Sequence, residues 1–377
     1  MNKFVFFKKK YFIFLCLGIC FVMTLSYVLY TKKSSEYFRI EMAVNALSQM
    51  VKNNGKFVYE IDFLKNKKSK KNNIVREMGS AYALAFAYNQ TGNKNLATKL
   101  KKVLDLMETR CIVVGEDTCF ISDNENKIKV GATALGLLSE LYYEQTSKDF
   151  SYANLRNKLV NALVSSYREG VGVLASPLLE NQTSPYFDGE TWFALSVYNL
   201  FYPKDKKVAD LLPSLDETMF KIYKDKYLIS FIHWGTMAAS HRFEATKDEK
   251  FIDFLKTQFY LYVKEKPTPA RGSSTCSVSE GLSDIVFYVA DADRNFAQKV
   301  FDRINQNKEK IEDLQVISNK VEGKKSEQFS KIHPKTEKYI GAFKNTPNDY
   351  KTRNDITQHC LIALLKHKRA SKKMIKN

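Results

Sequence analysis

Five carboxylates in this sequence recur at one kind of position. Glu77, Asp188, Glu190, Glu280 and Asp355 each stand at or within two residues of the start of a long apolar segment. Acid–base hydrolysis of a glycosidic bond requires two carboxyl groups facing each other across an opening. They stand about 6.5–9.5 Å apart where a water must fit between them, and about 5–5.5 Å apart where one attacks directly. The same positions also suit plain capping, since Asp or Glu at a helix start contributes about 0.5–2 kcal/mol. The company these residues keep favours chemistry. Tyr186, Trp192, His233, Trp234, Gln358 and His359 cluster at the same segment starts, and aromatic faces beside hydroxyl-reading polar groups suit a saccharide. The expectation is Glu280 or Glu190 as general acid and Asp188 or Asp355 as base. Arg76, Glu77, Tyr186, Trp192, His233, Trp234, Arg353, Gln358 and His359 are expected to contact the substrate.

Arg76 and Arg353 begin or precede apolar segments, where the positive end of a helix dipole disfavours a cation. Each therefore needs an anion: Glu77, Asp355 or a bound uronate. Three of the five histidines, His233, His241 and His359, fall on apolar segments. Such a histidine is either a hydrogen-bonded core residue or, with an ordinary pKa near 6.5, a general base or hydroxyl binder. His233, Cys276, His359 and Cys360 could gather as a zinc set, but no C-x-x-C or H-E-x-x-H spacing supports one. A Cys276–Cys360 disulfide or two buried thiols account for the cysteines equally well. In CIVVGEDTC, Cys111 and Cys119 flank a turn that could close as a small disulfide loop in an oxidising compartment. No metal and no cofactor is expected.

Positioning these residues falls to helices. Amphipathic segments at 36–53, 93–109, 151–169, 205–224, 247–264 and 294–308 alternate with segments that are apolar nearly all round, beginning at Arg76, Val130, Asp188, His233, Ser279 and Asp355. A helix without a polar face is buried on every side. Short polar turns, NQTGNK, EQTSKD and EATKDE among them, follow the apolar segments and form a weak internal repeat. Longer connections precede those segments, so the long loops and the apolar N-termini share one face. Three of these loops carry a Gly-x-apolar element, Gly55 to Phe57, Gly172 to Leu174 and Gly341 to Phe343, read as short strands rimming an opening. The polar stretch from Asn66 to Asn73 reads as a mobile loop, and 309–338 is charged and low in apolar residues.

Six buried and six half-buried helices, with NIVREMGSAYALAFAY, DGETWFAL, HWGTMAA, SEGLSD and RNDITQH at the inner starts, resemble the (α/α)6 toroid of the six-hairpin glycosidase superfamily over residues 36–370. That resemblance implies an all-α fold with short β elements at its mouth and a carbohydrate-active site there.

The run from Tyr11 to Tyr30 is twenty residues without a charge, enough to span about 30 Å of hydrocarbon. Lysines on both sides mildly favour an N-terminus in the cytoplasm. The expected layout is a basic stub and single-pass signal anchor at 1–35, a toroid at 36–370 outside the inner membrane, and a basic tail at 371–377. A net charge of +18 comes without any nucleic-acid-binding pattern and suits an acidic polysaccharide instead. The expected function is a glycoside hydrolase-like enzyme acting on an envelope polysaccharide. The alternatives are an epimerase or lyase, and a non-catalytic polysaccharide-binding protein of an export system.

Overall fold

The computed structural model describes residues 36–179, 182–270, 272–317 and 332–376. The expected membrane span at 11–30 lies outside the described residues; among those described, no helix is long and apolar enough to cross a membrane. The chain divides into units 1–42 and 43–377. Residues 36–50 are helical (α1), and everything below concerns residues 43–377.

After α1 come α2 (Ile74–Thr91) and α3 (Lys94–Thr109), α4 (Val130–Ser147) and α5 (Ala153–Ser166), then α6 (Pro185–Phe201) and α7 (Lys206–Tyr223). They are followed by α8 (Ile229–Thr246) and α9 (Lys250–Glu265), α10 (Ser274–Val289) and α11 (Arg294–Glu312), and finally α12 (Asn354–Lys376). The even-numbered helices pack on one another in chain order, and α12 packs on α2. The inner layer is thus a closed ring. Each of α3, α5, α7, α9 and α11 packs outside it, on the inner helix it follows.

Small residues let the inner helices approach. A Cβ added at Gly79 would sit 2.4 Å from the Gln358 side chain, at Gly131 2.0 Å from Glu190, and at Gly189 2.6 Å from the Cβ of Trp234. At the opposite end the repeated turns have a common physical cause. Gly92, Lys148 and Lys247 end α2, α4 and α8 in the left-handed conformation, and each backbone N–H reaches the carbonyl four residues back. This is the usual αL termination. Thr91, Thr146 and Thr246 donate their hydroxyls to carbonyls one turn earlier, at 2.7–2.8 Å.

Short strands gather on the loop face. β1 (Glu60–Asp62) lies between β2 (Lys67–Lys68) and β7 (Lys351–Arg353); β3 (Cys111–Val113) pairs with β4 (Cys119–Ile121), and β5 (Tyr167–Arg168) with β6 (Gly172–Val173). The stretch read as a mobile loop is therefore partly a strand, with Lys67 and Lys68 opposite Asp62 and Ile61. Disulfides join Cys111 to Cys119 across β3 and β4, and Cys276 on α10 to Cys360 on α12.

Candidate active site

In four of the inner helices, α2, α4, α6 and α12, the fourth residue faces away from the opening and holds a rim segment. Glu77 in α2 accepts the Phe57 N–H at 2.7 Å, Thr133 in α4 accepts Ile121 N–H at 3.1 Å, Asp188 in α6 accepts Val173 N–H at 2.6 Å, and Thr357 in α12 accepts Phe343 N–H at 3.2 Å. Four hairpins thus fasten their rim segment to the inner helix with the same bond. The Gly-x-apolar elements supply three of the donors, and Gly55, Gly172 and Gly341 carry the positive φ that turns the chain there.

Glu77 and Asp188 are consequently placed outside the opening. Glu77 is fully buried and also binds Arg110 at 2.8 Å. Asp188 additionally accepts the Tyr223 hydroxyl, and burial lifts its pKa to about 6 against the pull of its two donors. Trp192, one turn beyond Asp188, is turned the same way. It is fully buried and donates its indole N–H to Asp216 on α7 at 2.8 Å, where Arg242 closes the ion pair. The role expected for Trp192, an exposed sugar-stacking face, does not fit this placement.

A helix advances about 100° per residue, so the sixth residue of α6 points about 200° away from the fourth. Glu190 accordingly lines a cleft of about 430 Å³ at the inner-helix N-termini, with Arg76, Lys129, Tyr186, His233, Trp234, Arg353, Asp355, Gln358 and His359. Tyr186 is exposed at the rim, whereas Trp234 is almost completely buried. Ser273, Ser274 and Ser277, with Asn73 and Lys129, also line the cleft. None of these five carried a sequence signal beyond its place at a helix start.

Glu190 is buried, its Oε2 has no hydrogen-bond partner, and burial pushes its carboxyl well above the usual range. Asp355 is the opposite case. Arg353 grips both of its oxygens, at 3.0 and 3.1 Å, and Arg76 adds a contact at 3.1 Å while donating to the Tyr59 hydroxyl. Asp355 is thus the anion that Arg76 and Arg353 required. Glu280 is wholly buried behind the lining, with Oε2 2.8 Å from His359 Nδ1. His233 packs against Trp234 and His359, neither ring nitrogen has a partner, and burial followed by the nearby His359 holds its pKa well below the ordinary value. Among the described residues no His, Cys, Asp and Glu group is arranged to hold a metal ion; Cys276 and Cys360 are joined in a disulfide.

Deeper in the ring, Lys366 donates to Asp284 at 2.6 Å and lies over the rings of Phe86 and Phe193. His241, beside Asp284, is drawn down to about 4 by burial. These groups are enclosed by the inner helices and do not line the cleft.

No family model and no curated protein matches the chain. Solved structures do. A family 76 α-mannanase from Bacteroides thetaiotaomicron has a TM-score of 0.64 at 10% identity, over 91% of this chain and 97% of that one. The family 76 α-1,6-mannanase from Salegentibacter sp. HEL1_6 has a TM-score of 0.65 at 13% identity, over 88% and 98%. An unsaturated glucuronyl hydrolase specific for heparin has 0.64 at 14%, over 90% and 97%. At such identities the likeness is one of fold: the chain carries an (α/α)6 toroid, as these solved structures do.

Proposed function

We propose that this chain is a glycoside hydrolase-like protein of the cell envelope, acting on an extracytoplasmic and acidic polysaccharide. The observation that carries the reading is the placement of Glu190, buried in the cleft wall with its Oε2 unpartnered. A carboxyl kept neutral by burial in the wall of a saccharide-sized cleft is what a general acid must be near neutral pH. Glu190 would give its proton to the glycosidic oxygen as the bond to the leaving sugar breaks. Asp355, bound by two guanidinium groups, would face the positive charge that develops on the sugar ring. Tyr186 would stack on a sugar ring and Gln358 would bind hydroxyls, with Trp234 packed behind the cleft wall. With Arg76, Lys129 and Arg353 against one arginine-bound carboxylate, the lining suits a polymer bearing uronate or sulfate groups.

The envelope location is supported by two disulfides, which persist in oxidising compartments, and by the uncharged run at 11–30. Externally added protease should digest the body in spheroplasts; full resistance there, in a protein digestible after lysis, would overturn the location.

The activity is tested by sugar release from heparin, polygalacturonate and α-1,6-mannan. Glu190→Gln should lower release by about 10²–10⁴-fold while binding persists. A second reading, a non-catalytic polysaccharide-binding or export protein, is favoured by Asp188 facing outward and Asp355 having both oxygens engaged. Wild-type binding without product from any polymer would establish it. Unsaturated or epimerised products would point to a lyase or an epimerase.

A further inference from the structure

A hydrolytic cleft needs a proton acceptor as well as a donor, and the carboxylates expected to fill that role are committed elsewhere. Asp188 faces β6 and α7, and both oxygens of Asp355 are bound by arginine. We infer that His359 is the general base of the cleft, and that Glu280 is the positioning residue that fixes its tautomer. The inference rests on the hydrolytic reading above.

Glu280 sits 2.8 Å from His359 Nδ1 and is fully buried, while the His359 side chain keeps 20% of its surface open and lines the cleft. A carboxylate only accepts hydrogen bonds, so Nδ1 must carry the hydrogen. Nε2, across the ring, is then left with its lone pair for the cleft. A carboxylate behind a histidine both orients the ring and stabilises the imidazolium that forms when Nε2 takes a proton. The Cys276–Cys360 bond ties the same two helices together within a turn of the pair, since Cys276 precedes Glu280 by four residues and Cys360 follows His359 directly.

In the hydrolytic step a water oxygen bonds to the anomeric carbon while Nε2 removes one of its protons. Glu190 delivers its proton to the departing glycosidic oxygen as the carbon–oxygen bond breaks. The imidazolium then loses its proton to solvent and the Glu190 carboxylate regains one, which restores both groups.

The charged and titratable groups near His359 are Glu280 from α10, His233 from α8 with ring centres 5.3 Å apart, Glu190, Asp355, Arg76 and Arg353 in the same cleft lining, and Lys366 further along α12, which acts electrostatically on Glu280 and His233. Burial holds the His233 pKa well below the ordinary value, and Glu280 is the group that meets the His359 ring nitrogen directly.

The experiment uses the full chain with its disulfides intact and follows kcat, KM and pH profile on whichever of heparin, polygalacturonate and α-1,6-mannan the wild type cleaves. His359→Ala should lose about 10²–10⁴-fold in kcat with KM little changed, and imidazole in solution should restore part of it. Glu280→Gln should lose about 10–10²-fold and move the acid limb to lower pH, because the imidazolium has lost its carboxylate. Thermal melting identifies variants that fail to fold. Carbethoxylation of the wild type by diethyl pyrocarbonate covers that case, since turnover should fall in step with modification of His359. Full turnover with His359 modified or replaced, or a Glu280→Gln profile identical to wild type, would overturn the base and leave the hydrolytic reading intact. A wild type that cleaves none of the three polymers would overturn that reading and the base with it.

Discussion

Glu190 and Asp188 are two residues apart and both buried, yet their environments set opposite duties. Glu190 has no donor near Oε2 and is held neutral by desolvation; Asp188 has two donors and a pKa raised only to about 6. Both folded-state values lie above those of an unfolded carboxyl, near 4. The stability each contributes is therefore complete below about pH 4, and for Asp188 it is lost as pH rises through about 6. Asp188→Asn keeps the shape and an acceptor for Val173, so thermal melts of this variant should be flatter than wild type between about pH 4 and 6, with turnover retained. Asp188→Ala instead strands the Val173 N–H and the Tyr223 hydroxyl and should cost about 1–3 kcal/mol in denaturant unfolding. Glu190→Gln should melt at or above the wild-type temperature at pH 7, having lost a group whose charged form the fold opposes, even as activity falls. A lower melting temperature there would show that Glu190 holds the fold.

For the helices, the alternation of apolar and amphipathic segments was readable because burial on all sides erases the polar stripe that the outer helices keep. The same erasure hid the site. In an inner helix no polar face marks which side meets the cleft and which meets the outer layer. Asp188 and Glu190 therefore looked like one cluster, and Trp192 like a sugar platform. The glycines were the legible clue to the rim, since three Gly-x-apolar elements do supply donors to position four of an inner helix. Thr133 and Thr357 gave no hint, because threonine at a helix start reads as an ordinary first-turn residue. Thr357→Val should leave the Phe343 N–H unpaired, cost about 1–3 kcal/mol, and speed hydrogen exchange around 341–344 before it affects the cleft. Exchange there at the wild-type rate would mean that the bond contributes nothing.

At the scale of the ring, closure of α12 on α2 separates this molecule from an open helical repeat, whose ends stay apart. Cys276 and Cys360 brace the adjoining seam between α10 and α12 and enclose a loop of 84 residues. Replacing both with serine should lower stability by about 2–5 kcal/mol. It should also slow turnover, because the Glu280–His359 pair loses its brace; a variant weakened in melting but catalytically unchanged would confine the bond to stability. The closing helix has a further consequence in time. α12 brings Asp355, Gln358 and His359, while their partners Arg76 and Gly79 sit in α2, at the other end of the ring's sequence. A chain emerging from a ribosome makes Arg76 long before Asp355, so the part of the cleft lining that α12 supplies is missing from every shorter chain. The cleft is then completed as a single late event, when α12 joins α2.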